Sequence, residues 1–423
     1  MEHPNRPTAQ AGTLDAAFAD AGVQTLDFPD HAKTFCEGMA LTPSGQIVVS
    51  ATLFDEAGKP YYGLARLNPD GSVDKTFGSG GYVSGNFLKD TSSRAGQLII
   101  QDDGAMYMCG LIVGPASRLE QVIAKFNPSG TLNLAFGNNG HVVIPMRIPA
   151  LSNASAGRIS FAQSIPGTGV KDRILFATSK SGVGLITRLN LNGETDADFA
   201  DAGWKVVQVE DLSTTLRNFI ELGDGRVLVY GYVNAGPDNG FIQAYTNKGQ
   251  IDLSFGSNGT RLLDIQHQDN PLASDIFALI ERLPNRLLAL GRATETSGSG
   301  SPQHALMTGL LSDGKTDENF NEGRPVITQG VTGDLRNWNA GVTVNNEADS
   351  PIVTLGQTTG GARRLLTGGF LGDGRIDSTF DIEGTDRVEF VPTTCCKQGS
   401  GLLVAGTKDG AVQVIRMFAS AVN

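Results

Sequence analysis

Ala65-Arg66-Leu67-Asn68-Pro69-Asp70-Gly71-Ser72-Val73-Asp74-Lys75-Thr76-Phe77-Gly78 reads as the end of a strand, a tight turn and the opening of the next segment. Pro69 presets φ for the turn and Gly71 accepts the positive φ that follows. The phrase within it, Gly-x-x-(Asp/Asn)-x-x-Phe, occurs seven times, ending at Phe18, Phe77, Phe136, Phe199, Phe255, Phe320 and Phe380. Successive phenylalanines lie 56 to 65 residues apart, a period that fits a solenoid or propeller unit.

Working outward from Gly71, one copy holds four apolar runs. Gln46 to Ser50 lacks clean alternation and predicts a strand covered on both faces. Gly63 to Leu67 follows, then the turn, then Tyr82 to Phe87; the next copy opens with Arg94 to Gln101. No stretch sustains a helical period. Four short strands with their turns fill about 45 residues, which leaves room for longer loops and favours four-stranded blades arranged radially. The copies are split at the termini. Gly12 to Phe28 supplies the end of a copy, and Gly401 to Phe418 supplies the missing earlier strands. The expected fold is therefore all-β: a single seven-bladed β-propeller of four-stranded antiparallel blades. The N-terminal strand joins the C-terminal blade and closes the ring, removing two exposed edges. Residues 1–423 form one domain, with 1–11 expected to be a flexible tail.

Composition excludes several classes. The chain has 423 residues, 40% hydrophobic and 18% charged, enough to bury a large core, and its 54 glycines suit many tight turns. A net charge of −11 with scattered Lys and Arg argues against a nucleic-acid partner. No apolar run is long enough for a membrane span and no signal peptide is evident, so a soluble cytoplasmic protein is expected unless it is exported without a leader. Cys36, Cys109, Cys395 and Cys396 are too few for a disulfide framework. They read as buried thiols, with a vicinal disulfide or soft-metal site at Cys395-Cys396 as the alternative.

Ala65 to Gly71, followed by Asp74-Lys75-Thr76-Phe77-Gly78, resembles the bacterial delta propeller repeat of about sixty residues, in which Arg-Leu-Asn-Pro-Asp-Gly precedes Leu-Asp-x-x-Phe-Gly. The resemblance runs along the chain and fades in the fifth to seventh copies. It implies a propeller and carries no shared activity or catalytic residue.

Among candidate sites, the repeated Asp15, Asp74, Asn133, Asp196, Asp252, Asp317 and Asp377 read as turn-capping residues rather than calcium ligands, because Asn133 serves as well as a carboxylate. The phenylalanines read as packing anchors. Gly309 to Thr316 matches a phosphate-loop pattern, but its Asp313-Gly314 is the repeat's own turn, so the match is fortuitous. His3, His31, His141, His267 and His304 fall at different phases of the repeat and are not expected to converge. Aligning the copies places Arg94, Arg158, Arg217 and Arg336 near the start of the innermost strands, with Asp275 at the corresponding point of the fifth. Such arginines would gather at a mouth of the central channel with Asn218, Asn337 and Lys33. There they would either bind an anionic or polyhydroxylated ligand or pair with a carboxylate of the adjacent blade. Trp338 and Phe219, beside two of them, either stack a ligand or pack between blades.

The first expectation is a non-enzymatic binding or protein-interaction scaffold, using the propeller face and channel mouth for a protein partner or a small anionic or carbohydrate ligand. No cofactor and no metal are expected. The alternative is a propeller hydrolase or lyase acting at that mouth, favoured by an acid beside the arginines in a concave pocket and opposed by a mouth plugged with salt bridges.

Overall fold

Ile47–Phe54 is apolar and small on both faces, and all but its last residue is buried. A strand with that pattern must lie between two other layers, and the same pattern recurs at Met106–Val113, Val227–Asn234 and Gly401–Lys408. These are the middle strands of antiparallel blades. The computed structural model describes residues 10–114, 119–144, 155–180, 182–267, 270–296, 301–329, 336–345, 347, 349–358, 364–380 and 390–420.

Seven sheets stand around an axis. Blade I comprises Lys33–Leu41, Ile47–Phe54, Pro60–Leu67 and Tyr82–Gly85, from the innermost strand outward. Blade II is Ser92–Ile100, Met106–Val113, Leu119–Phe126 and His141–Val143. Blade III is Arg158–Gln163, Lys171–Lys180, Val183–Asn190 and Trp204–Val207. Blade IV is Ser213–Glu221, Val227–Asn234, Asp238–Tyr245 and Thr260–Leu262. Blade V carries a fifth strand, because Ile265–His267 folds back on the extended Asn270–Leu283 before Arg286–Glu295, Gln303–Leu311 and Val326–Thr328. Blade VI shows three strands among the described residues: Arg336–Thr343, Ile352–Thr358 and Leu365–Phe370.

Blade VII joins the two ends of the chain. Phe390–Gln398, Gly401–Lys408 and Ala411–Phe418 are completed by Val23–Leu26, which pairs Val23 with Ile415 and Leu26 with Val412. Pairing extends upstream, where the Gly12 amide donates to the Phe418 carbonyl at 2.9 Å. Ala11, assigned from sequence to a flexible tail, is buried in the core of this blade. Residues 1–9 lie outside the described residues.

The repeated phrase turns out to be a clasp between neighbours. In blade I the Asp74 carboxylate accepts the Thr76 amide at 3.0 Å, fixing the turn, and pairs with Arg66 Nε at 2.8 Å. Arg66 lies over the Phe77 ring, 4.6 Å from its centroid, and donates to the Pro128 carbonyl of the next blade at 2.7 Å. Arg188 with Asp196 and Phe199, and Arg416 with Asp15 and Phe18, repeat the arrangement. All seven phenylalanines are buried, and a Cβ on Gly130 of blade II would come within 2.8 Å of the Phe77 ring. The turn glycine thus does two things: it takes φ +88° and lets the preceding blade's ring approach. The residue after each ring completes the contact, donating its amide across the junction: Ala19 to Asp70, Gly78 to Ser129, Gly137 to Asn192, Ala200 to Lys248, Gly256 to Asp313 and Asn321 to Asp373. Among the described residues, a backbone bond therefore crosses six junctions.

Candidate functional site

The innermost strands carry one extra residue where they pass their middle strands, a bulge that breaks the pairing register. It falls between Cys36 and Gly38 in blade I, Leu216 and Asn218 in blade IV, Ile276 and Ala278 in blade V, and Trp338 and Ala340 in blade VI. The bulged residues are Glu37, Arg217, Phe277 and Asn339, with Thr393 in blade VII. In blade II the pair Gly96-Gln97 faces Cys109 alone, and in blade III Gly157 takes φ +81° just before Arg158 pairs with Ala177. Blade II therefore has a glycine in its bulge, and blade III has one directly before its inner strand.

A cavity of about 260 Å³ opens on the channel wall beside these glycines, lined by Glu37, Gly96, Gly157, Arg158, Thr178 and Arg217, among others. The glycines cannot easily be replaced. A Cβ on Gly157 would meet the Phe176 ring at 2.3 Å, and one on Gly96 would meet the Ala156 Cβ at 2.8 Å. Glu37 is partly buried and accepts a hydrogen bond from Thr52 Oγ1 at 2.7 Å. Burial pushes its carboxyl up to about 7, against the opposing pull of the Thr52 hydroxyl, Arg158 and Arg94. Burial also raises the Cys36 and Cys109 thiols to about 12, keeping them protonated and inert. All four cysteines, including Cys395 and Cys396, are free.

The arginines expected at equivalent points are spread by the bulges. Arg94 pairs with Leu111 and Arg336 with Thr358, upstream of the bulge; Arg217 lies in it, and Arg158 pairs with Ala177 in a blade whose register is unbroken at that point. Arg158 and Arg94 are both exposed, and neither guanidinium forms a hydrogen bond or ion pair among the described residues; their fields meet at Glu37. Arg217 takes the other course anticipated for it. Its Nε and Nη2 grip Asp275 of blade V at 3.2 and 2.7 Å, and its guanidinium is held between the rings of Tyr232 and Phe277. Arg292 approaches the same carboxylate at 3.4 Å, so Asp275, which is 3% exposed, joins two cations.

The remaining candidates are placed as follows. Trp338 is 1% exposed and sits edge-on to Phe370, and Phe219 is 5% exposed; both belong to the core. Asn337 is buried and its Oδ1 accepts the Gln357 amide at 3.3 Å, while Asn218 Oδ1 accepts the Phe219 amide at 2.9 Å. Lys33 is exposed at the start of its strand. Gly309 lies within the strand Gln303–Leu311, and Lys315 pairs with Asp313 in an exposed hairpin, so no helix follows to cradle a phosphate. Two histidines do approach each other. The His267 and His304 rings lie 6.3 Å apart, His267 standing at the end of the extra strand of blade V that pairs with Asn270–Leu283. His3, Asp269 and most of the loop 145–157 lie outside the described residues, as do residues 297–300. Among the described residues, no three His, Cys, Asp or Glu side chains are grouped to hold a metal ion, and no helix is long and apolar enough to cross a membrane.

Glu37 is the site residue that sequence alignment of the copies passed over. Its signal was a carboxylate in Cys36-Glu37-Gly38-Met39, inside an otherwise apolar inner strand.

Comparison with known proteins agrees at the level of the fold. Residues 42–77 match a family described as a domain of unknown function (DUF5122) beta-propeller. No curated protein matches the chain. Among solved structures, the β-propeller domain of the trilobed protease from Pyrococcus furiosus is 8% identical, with a TM-score of 0.44 and coverage of 92% of this chain and 97% of that one. The Nup133 β-propeller domain from Vanderwaltozyma polyspora is 9% identical, with a TM-score of 0.44 and coverage of 93% and 97%. A protein of unknown function from Dyadobacter fermentans is 12% identical, with a TM-score of 0.41 and coverage of 84% and 100%.

Proposed function

We propose that the protein binds a small anionic, hydroxylated ligand in the channel-wall pocket between Glu37 and Arg217, and that binding is its principal task. The observation that carries this reading is Arg158: a guanidinium that lines a cavity while making no hydrogen bond among the described residues. Arg66, Arg188, Arg217 and Arg416, by contrast, are each tied down by a carboxylate. A planar donor fork left open suits a carboxylate or phosphate. Arg94 adds positive potential nearby, and Glu37 supplies a carboxyl able to accept from or donate to a ligand hydroxyl. A cavity of about 260 Å³ is at the small end of ligand sites, which favours a hydroxy acid or sugar acid over a nucleotide.

A second reading, that the same pocket catalyses proton transfer on such a substrate, is favoured by one observation: a carboxyl titrating near neutrality beside an arginine in a concave site. The face around the pocket also remains a candidate surface for a protein partner.

The test is a thermal-shift screen of hydroxy acids, sugar acids and inorganic phosphate against the wild type and Arg158→Ala. Ligand-induced stabilisation that disappears in Arg158→Ala supports the reading, and a shift of equal size in both proteins refutes it. Consumption of the bound compound, abolished by Glu37→Gln, would select the catalytic reading.

A further inference from the structure

We infer a second binding site, for a neutral oligosaccharide, in the trough along the outer strand Tyr82–Gly85 of blade I. It goes beyond the channel pocket and shares no residue with it. The trough encloses about 730 Å³, larger than the channel-wall cavity. Its position is a product of the repeat. A trough of about 710 Å³ lies at the corresponding place in blade IV, where Gly256-Ser257 stand for Gly78-Ser79, Thr260–Leu262 for Tyr82–Ser84, and Gly314-Lys315 of the next blade for Gly130-Thr131. The fold alone therefore provides the space, and the lining decides its use.

The two linings differ in kind. The blade IV trough is lined by Val209, Glu210, Gln243 and Ile251, among others, with no aromatic residue. The blade I trough brings Phe28, His31, Tyr61, Tyr62 and Tyr82 together. Phe28 is buried and lies 5.1 Å from the Tyr82 ring at 62°, and the His31 ring meets Tyr61 at 5.6 Å and 74°. Phe28, Tyr82, Val83 and Leu132 give an apolar floor, while Asp30, Asp55, Ser79, Ser84 and Thr131 give a polar rim. A pyranose is built to the same plan, with a C–H face for an aromatic surface and a belt of hydroxyls for surrounding donors and acceptors.

The rim chemistry is prepared for hydroxyls. Asp55 already orients its carboxylate by accepting the Lys59 amide at 2.8 Å and the Tyr61 hydroxyl at 3.1 Å. A carboxylate has about four lone-pair sites, so capacity to accept remains. The Tyr61 hydroxyl is thereby committed as a donor and presents its own lone pairs outward. Asp30 and Asp55 outweigh the cation beside them, Lys59, whose Nζ lies 5.3 Å from the Tyr61 ring centroid, so the rim is net negative and selects neutral sugars over uronates and sulfated glycans. Blade IV, which has the corresponding trough, lacks these rings, so the site belongs to blade I.

The experiment is calorimetric titration of the full chain with cellotetraose, xylotetraose, maltotetraose, mannotetraose and chitotetraose, and with a polygalacturonate fragment as the anionic control. At least one neutral tetrasaccharide binds, and the anionic fragment binds at least about tenfold more weakly than that one. Tyr61→Ala, at a partly exposed position, weakens that binding by about tenfold or more with an unchanged melting transition. Ser84→Trp, on the exposed face of the outer strand, fills the trough and abolishes it without touching the core. Arg158→Ala leaves it intact. No heat with any of the neutral probes, equal affinity for the anionic fragment, or retained binding in both Tyr61→Ala and Ser84→Trp, overturns the inference.

Discussion

Glu37 is held in a strand bulge, where burial raises its carboxyl from 4.5 to about 7. The folded-state value exceeds the unfolded one, so the native state holds the proton after the unfolded chain has released it. Its contribution to stability is complete below about pH 4.5 and is lost as pH rises through about 7, an effect of up to about 3 kcal/mol. Denaturant midpoints measured from pH 5 to pH 8 should therefore fall more steeply for the wild type than for Glu37→Gln; parallel curves would show that the carboxyl is not held up by burial. Phe77 works in the opposite sense, as pure packing. Phe77→Ala opens a cavity between blades I and II and should cost about 3–5 kcal/mol by urea denaturation. Phe77 was legible from sequence because the same ring fills the same gap in every copy. Glu37 was not, because it occurs once, and a residue that departs from the repeat cannot be found by aligning the repeat.

Strands and turns were legible to within a few residues where the copies agree. Gly63 to Leu67 and Tyr82 to Phe87 correspond to Pro60–Leu67 and Tyr82–Gly85. The inner strands were harder to read, because a bulge changes register without changing composition, and Arg94, Arg158, Arg217 and Arg336 were aligned as equals when they are not. The turn clasp offers a measurable contrast at this scale. Arg66 is 13% exposed by side chain and serves Asp74, Phe77 and the Pro128 carbonyl together. Arg66→Ala leaves a shielded carboxylate unpaired and should cost about 3 kcal/mol or more. Lys315→Ala breaks only the exposed pair with Asp313 and should change stability by less than about 1 kcal/mol. Equal effects in a denaturant titration would mean that the clasp contributes no more than a surface ion pair.

For the whole ring, the split copy made closure readable, since Gly12 to Phe28 had no other partner than the final strands. The fifth strand of blade V was not readable, because it depends on Ile265–His267 folding back on Asn270–Leu283 rather than on any repeated phrase. Removing residues 1–28 should strip Ala411–Phe418 of its outer neighbour and leave a bare edge. Calorimetry should then show a large loss of melting temperature and enthalpy, with association detectable by gel filtration; an unchanged transition would show that blade VII holds without its fourth strand. Closure also has a mechanical reading. Gly12 bonds to Phe418, and the pairing runs inward from there to Leu26 opposite Val412, so both chain segments leave the pair from the same end. Tension applied through those two segments loads the hydrogen bonds one after another, as in opening a zip, instead of all at once in shear. The ring should therefore resist heat far better than it resists a pull on its ends.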